Sequence, residues 1–279
     1  MIECRGLRVS YGGQRVLDGI DLRIGHGERV ALFGLNGAGK TTLLRCLLGL
    51  ARFEGEVRVD GANPHHTRAR ERLAYVPQRP PRFDLSVDEF LAGFAELRGC
   101  EPARVRERAG VLGLDLAAHG RKRLDELSGG MLQKAVVALA LESEAPALLL
   151  DEPTANLDAG SRGELLVGLR EGAAGRTIVV ASHRFEDVVT LAERAVVLAE
   201  GKIVFDGPLS ELWARGRGGV LKVWSTVSRV DAVQELVRSH PDVVGVHRNG
   251  SGLIVHVSDA GAEPRVLEAA RRADPEVGF

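Results

Sequence analysis

The sequence predicts an α/β domain followed by a small α+β module, and three observations point there. The apolar run Val30-Ala31-Leu32-Phe33 leads into a glycine-rich stretch, residues 34–42, which reads Gly-Leu-Asn-Gly-Ala-Gly-Lys-Thr-Thr and is followed by helix-forming residues. Further apolar runs at 147–150 and 176–181 alternate with helical patterns, as in a sheet flanked by helices. After Arg215-Gly216-Arg217-Gly218-Gly219 the composition resets, and a shorter set of strands and helices begins.

The glycine-rich stretch fits G-x-x-x-x-G-K-[ST], with Gly34, Gly39, Lys40 and Thr41 at the fixed positions. Leu35, Asn36, Gly37 and Ala38 form the intervening loop, and Thr42 continues into the helix. Gly37 and Gly39 let the backbone turn tightly, so that successive N–H groups point at a phosphate. The following helix adds its positive N-terminal end. Lys40 brings a compact charge to the outer phosphates, and Thr41 offers a hydroxyl to Mg²⁺. A glycine turn that binds nothing is the plain alternative. The strand before the loop and the helix after it favour the phosphate loop.

Length and composition bound the function. The chain of 279 residues suffices for one large domain and a small one. A formal net charge of −1 is no footprint for nucleic acid. Cys4, Cys46 and Cys100 are far apart and match no metal spacing or disulfide framework, so a reducing cytoplasm is expected. Residues 1–10 lack the apolar core of a signal peptide. The longest apolar runs, 135–141 and 145–150, fall well short of the ~20 residues a membrane helix needs. Work at a membrane is therefore expected to run through partner chains.

Taken in order, residues 2–10 read as a strand and Tyr11-Gly12-Gly13 as a turn, with Tyr11 on position alone an ordinary strand-end aromatic. Residues 16–24 suggest a strand pair, and 55–60 another strand closed by Asp60-Gly61. The adjacent His65 and His66 lie in a loop, where diverging side chains argue for solvent rather than metal. A short strand at 73–77 ends at Gln78. The block from about 79 to 143 reads as an inserted helical subdomain. In it Ser86 and Glu89 form a capping box, Glu101-Pro102 opens a second helix, and Leu127-Ser128-Gly129-Gly130-Met131 leads into a long third one. Ser128 is a good N-cap, and Gly129 and Gly130 expose N–H groups that suit a second anion site, although a plain capped helix reads the same way. The strand at 147–150 ends in Asp151-Glu152-Pro153. Ligands of open α/β sheets gather at the carboxyl ends of strands, so Asp151 can hold Mg²⁺ with Thr41 while Glu152 orients or deprotonates a water. A helix follows at 159–171, then a strand at 176–181 that ends in Ser182-His183, where His183 can reach a terminal phosphate. Strands at 195–199 and 202–206 and a helix at 208–213 close the domain.

Together these motifs resemble the nucleotide-binding subunit of ABC transporters over residues 2 to about 215. The resemblance implies the ABC form of the P-loop NTPase fold, with a mixed sheet core, a helical subdomain and an antiparallel β subdomain. It makes Tyr11 the aromatic that stacks on adenine and residues 34–42 the Walker A loop. Gln78 becomes the Q-loop residue, touching Mg²⁺ and the attacking water. Ser128, Gly129 and Gly130 become the signature that grips the γ-phosphate of ATP held by a second copy. Asp151 is the Walker B aspartate, Glu152 the general base, Asp158 the D-loop aspartate and His183 the switch histidine. An active ATPase using ATP and Mg²⁺ is thus implied, peripheral on the cytoplasmic face of the membrane, dimeric, and coupled to permease subunits on separate chains. Two positions depart from the pattern: Met131 stands where Gln is common and tilts toward export families, and Asn156 stands where Gly is common.

Residues 216–219 read as a flexible linker and 220–279 as a β-α-β-β-α module of ferredoxin-like type, with a final strand at 276–279. Its elements are a strand at 220–225, a helix capped by Ser228, a hairpin through Asn249-Gly250-Ser251-Gly252 and a helix at 263–273. His247 and His256 have the parity to share one hairpin face, but two histidines without a third ligand argue for plain surface. The tail and Met131 are similar to ABC-2 export ATPases, including those of nitrous-oxide-reductase copper-site maturation. Two other readings stand beside export: an importer ATPase with a ligand-sensing tail, and a soluble ABC ATPase of iron–sulfur assembly type. DNA-repair relatives carry zinc motifs or long coiled coils, whereas only about fifty residues separate Gln78 from Ser128. The cargo, the permease and the role of the tail are not legible in the chain.

Overall fold

The computed structural model describes residues 1–35, 37–215, 220–224, 229–249, 252–257, 262–275 and 277. Packing divides the chain into two compact units, Met1–Pro208 and Leu209–Phe279.

The first unit carries two sheets. Strands β1 (Ile2–Tyr11), β2 (Gln14–Ile24) and β4 (Glu54–Val59) form an antiparallel sheet in the order β2-β1-β4. Alternation turns Ile2 and Cys4 inward, and a register shift between Cys4 and Leu7 resets the parity so that Leu7 and Val9 face inward as well. The second sheet is built from β3 (Arg29–Phe33), β5 (Leu73–Val76), β6 (Ala147–Asp151), β7 (Thr177–Ala181), β8 (Arg194–Ala199) and β9 (Lys202–Pro208). Its order is β5-β6-β7-β3-β8-β9, parallel from β5 through β8, with β9 antiparallel at the edge. Strands β6 and β7 are buried at every position, which is why they read as unbroken apolar runs rather than alternating ones.

Helix α1 (Lys40–Leu47) packs Leu43, Leu44 and Leu47 into the core between these sheets, with Leu7, Ile20, Leu32 and Val179. Between β5 and β6 lie α3 (Val87–Leu97), α4 (Pro102–Val111) and α6 (Gly129–Glu142). The capping box at Ser86 and Glu89 forms as expected, with both reciprocal bonds present. Helix α7 (Ala159–Gly172) precedes β7.

Several elements differ from the expectations. Tyr11 lies in the strand and pairs with Gln14 across the Gly12-Gly13 turn, and residues 16–24 belong to one strand rather than a pair. The short helices α2 (Thr67–Glu71), α5 (Leu116–His119) and α8 (Phe185–Leu191) were not foreseen, because each is too brief to build a period. The closing helix α9 (Leu209–Arg215) packs within the second unit.

The second unit also holds β10 (Val220–Trp224), α10 (Val230–Arg238), β11 (Val243–Asn249), β12 (Gly252–Val257) and α11 (Glu263–Ala273). Its strands form an antiparallel sheet in the order β10-β12-β11, and Val223, Val233, Val237, Val255, Val266 and Ala270 make its core. Asn36, the linker 216–219, Ser228, Gly250, Ser251 and most of the final strand proposed at 276–279 lie outside the described residues.

Candidate functional site

The sheet order makes β6, β7 and β3 neighbours, so the segments leaving their carboxyl ends meet along one edge. From β3 comes the phosphate loop. Gly39, with φ 101°, is the N-cap of α1 and supplies no side-chain cap, so the first-turn N–H groups are left for an anion. A Cβ at Gly39 would sit 2.6 Å from Leu17 Cδ2, so the loop can close on β2 only with glycine here. Lys40 is nearly buried, and its ammonium donates to the Gly34 carbonyl at 2.7 Å and the Leu35 carbonyl at 3.2 Å.

From β6 come the two acids. Asp151 is buried at the strand end, where its Oδ1 accepts from Thr41 Oγ1 at 3.2 Å and its Oδ2 from Tyr75 Oη at 3.4 Å. Burial pushes the Asp151 carboxyl above its ordinary pKa, and neighbouring Glu152 adds to this, while the Thr41 hydrogen bond works against it. A hydroxyl and a carboxylate converging beside a lysine are hard oxygen donors, which fit Mg²⁺. Glu152 has φ 48°, a left-handed conformation that a glutamate adopts only when its surroundings hold it.

From β7 come Ser182 and His183. The His183 ring lies with Nδ1 2.7 Å from Glu152 Oε1, and the His183 backbone N–H donates to the same oxygen at 3.2 Å. Ser182 Oγ lies 3.4 Å from Glu152 Oε2. Glu152 is buried, whereas the His183 side chain is 57% exposed, so the acid is held while one side of the ring stays open.

The structure therefore brings Lys40, Thr41, Asp151, Glu152 and His183 together. Gln78 is exposed just beyond β5, and its backbone carbonyl accepts from Asn156 Nδ2 at 3.1 Å. Asn156, the residue that departs from the usual Gly, thus ties the 154–158 segment to Gln78. Ser128 caps its own helix by accepting from Met131 N at 3.2 Å. Gly130 lies so close to Leu157 that a Cβ would come within 2.8 Å of its Cδ2. Asp158 caps α7 by accepting from Ser161 N at 3.0 Å, which holds its carboxyl below the usual range. Tyr11 is half exposed at the end of β1.

Three participants went unseen in the sequence. Tyr75 sits mid-strand, where an aromatic reads as packing. Thr154 and Asp187 are fully buried and hydrogen-bonded to each other. Asp187 follows Glu186, so it reads as half of an exposed acidic pair. The signal that points to it is its place beside Val188 and Val189, one helical turn beyond His183. Among the described residues no cluster of three or more metal-ligating side chains occurs, and the His247 and His256 positions share one face only by strand register.

The family described as ABC transporter matches residues 17–155. An ABC transporter ATP-binding protein of Streptomyces avermitilis is 40% identical over 216 residues, covering 74% of this chain and 38% of that protein, so this chain spans well under half of that relative's length. The Nod factor export ATP-binding protein I of Paraburkholderia xenovorans is 35% identical over 284 residues, covering 98% of this chain and 90% of that one. Proteins named for import and for export both occur among the relatives. A solved ATP-binding subunit of an ABC transporter superposes with a TM-score of 0.69 at 28% identity, covering 76% of this chain and 92% of that one.

Proposed function

This chain belongs to the ATP-binding subunits of ABC transporters and is an ATPase, and from that premise we propose that two copies close around two ATP and drive a separate permease, in the direction of export. The observation that carries the reading is the meeting of Lys40, Thr41, Asp151, Glu152 and His183 along one sheet edge.

In this mechanism the phosphate loop and the α1 N-terminus cradle the phosphates, and Lys40 turns from the loop carbonyls to the γ-phosphate. Thr41 and Asp151, with Gln78, would hold Mg²⁺, which when bound neutralises charge on the β- and γ-phosphates. Glu152 takes the proton of the attacking water. His183 holds Glu152 through Nδ1, which leaves Nε2 as the ring atom that faces a terminal phosphate. Tyr11 stacks on adenine. Ser128, Gly129 and Gly130 serve the γ-phosphate of the partner's ATP. What supports the two-chain site is that Ser128 caps its own helix and Gly130 packs on Leu157, while the phosphate loop finds its own acids in Asp151 and Glu152.

Among the described residues no helix is long and apolar enough to cross a membrane. The peripheral place on the cytoplasmic face of a permease rests on the family to which the chain belongs. Export rests on Met131 and on the near full-length likeness to an export ATPase. Relatives named for import favour the second reading, in which the tail senses a ligand. Purifying the chain from membranes with its partners and sequencing the partners tests both. A permease of export type confirms the reading, an importer permease favours the second, and a soluble assembly partner overturns both.

A further inference from the structure

Asp187 is a fully buried carboxylate that the mechanism above does not use. It lies on the short helix α8 and reaches two loops at once. Both of its oxygens accept from Thr154 Oγ1 at 2.8 Å, and Oδ2 also accepts from Ser182 Oγ at 2.8 Å. Thr154 is two residues after Glu152, and Ser182 immediately precedes His183. Asp187 therefore ties the segment carrying the acid to the segment carrying the histidine. The bond is reinforced by the Arg184 backbone N–H, which donates to Ser182 Oγ at 3.0 Å and turns the hydroxyl proton toward a carboxylate. Two carboxylates compete for that one proton, Asp187 at 2.8 Å and Glu152 Oε2 at 3.4 Å. Asp187 has the shorter bond, so Ser182 spends its proton there. Glu152 keeps Oε2 free of a short donor while Oε1 is held by His183.

A buried carboxylate needs good hydrogen-bond partners, and here Thr154 and Ser182 supply them. Burial pushes the Asp187 carboxyl above its ordinary range, and the charged groups around it are Arg184, which opposes the shift, and Glu152, which adds to it. Glu152 also stands at φ 48°, a conformation its surroundings must enforce. The Thr154–Asp187–Ser182 bridge ties the chain just after that strained residue to the end of the neighbouring strand β7.

We infer that Asp187 is a positioning residue for ATP hydrolysis, which through Thr154 and Ser182 fixes the Glu152 carboxylate and the His183 ring in register for attack by water. The inference rests on the reading of Glu152 as the base. It requires no contact between Asp187 and ATP.

The test uses the full-length chain and its basal ATP hydrolysis. Asp187→Asn keeps the volume but removes one acceptor. It should lower kcat by about tenfold or more, because small misplacement of a reacting group costs up to about a hundredfold. The KM for ATP should stay within about threefold, since Lys40, Thr41 and Asp151 are untouched. Thr154→Val should reproduce the loss and Thr154→Ser should restore it, a rescue that a role in bulk packing alone would not give. If Asp187→Asn fails to fold, the Thr154 pair decides the matter. A folded Asp187→Asn or Thr154→Val with kcat within about twofold of wild type overturns the inference, and so does a rise in KM that accounts for the whole loss. Glu152→Gln run in parallel separates the two readings. If that variant hydrolyses ATP normally, Glu152 is not the base and the underlying mechanism falls. If it is inactive while Asp187→Asn is normal, only the positioning role falls.

Discussion

Oε1 of Glu152 accepts from both the backbone N–H of His183, at 3.2 Å, and its ring, whose Nδ1 lies at 2.7 Å, so the acid and the histidine are one unit rather than two neighbours. Glu152→Gln keeps the shape but removes the proposed base. Hydrolysis should fall by about a hundredfold or more while ATP binding persists. Phosphate release and a nucleotide-binding titration on the same protein check this.

Lys40→Ala should abolish hydrolysis, because phosphoryl transfer depends on positioned charge and the loop offers no second ammonium. The expected loss is about a hundredfold or more in kcat. Turnover within a few-fold of wild type would sink the phosphate-loop assignment.

The proposed two-chain site predicts complementation. Ser128→Arg and Glu152→Gln should each be inactive alone. Mixed, they form a heterodimer with one site carrying both defects and one carrying neither, so activity should partly return. A control must show that heterodimers form and bind ATP. With that in place, a silent mixture counts heavily against a site shared between two chains.

Cys4 and Cys46 should be inert in the native protein. Burial pushes the Cys4 thiol up to about 12 and the Cys46 thiol up to about 11. At pH 8, four and three units below these values, about one Cys4 in ten thousand and about one Cys46 in a thousand is ionised, and only the thiolate reacts. An aromatic disulfide reagent should therefore label at most the half-buried Cys100 quickly, and all three thiols once guanidinium unfolds the chain. Rapid native labelling of Cys4 or Cys46 would contradict the packing of β1 on α1.

A chain ending at Pro208 should fold and bind ATP, because the second unit has its own core of Val223, Val233, Val255 and Val266. Circular dichroism and nucleotide binding on the truncated chain test it. A soluble, folded truncation that no longer binds ATP would show that the tail completes the site.

The phosphate loop was legible because its chemistry is local. Gly34, Gly39, Lys40 and Thr41 must be close in sequence for one turn to present N–H groups to a phosphate, so spacing alone reveals them. Asp151 and His183 were legible for a related reason, since each sits where a buried apolar strand runs out. The short helix α8 escaped because it spans only Phe185–Leu191 and carries no cap or period that marks it. Which core helix α9 joins is not written in the glycine-rich linker either, because glycines mark flexible chain, whereas packing decides where a helix settles.

By itself, then, the sequence determined what each segment can do: the loop that binds phosphate, the strand ends that carry acids and a histidine, and the family to which they belong. Only the tertiary structure decided which of them act together. The parallel order β6-β7-β3 sets Glu152 beside His183 and Thr41 beside Asp151, across 31 and 110 residues of chain. It also buries Asp187 between Thr154 and Ser182. The physical reason is that hydrogen bonds act over about 3 Å of space. Strand order and burial, which arise from the packing of the whole unit, bring such distant residues within that reach.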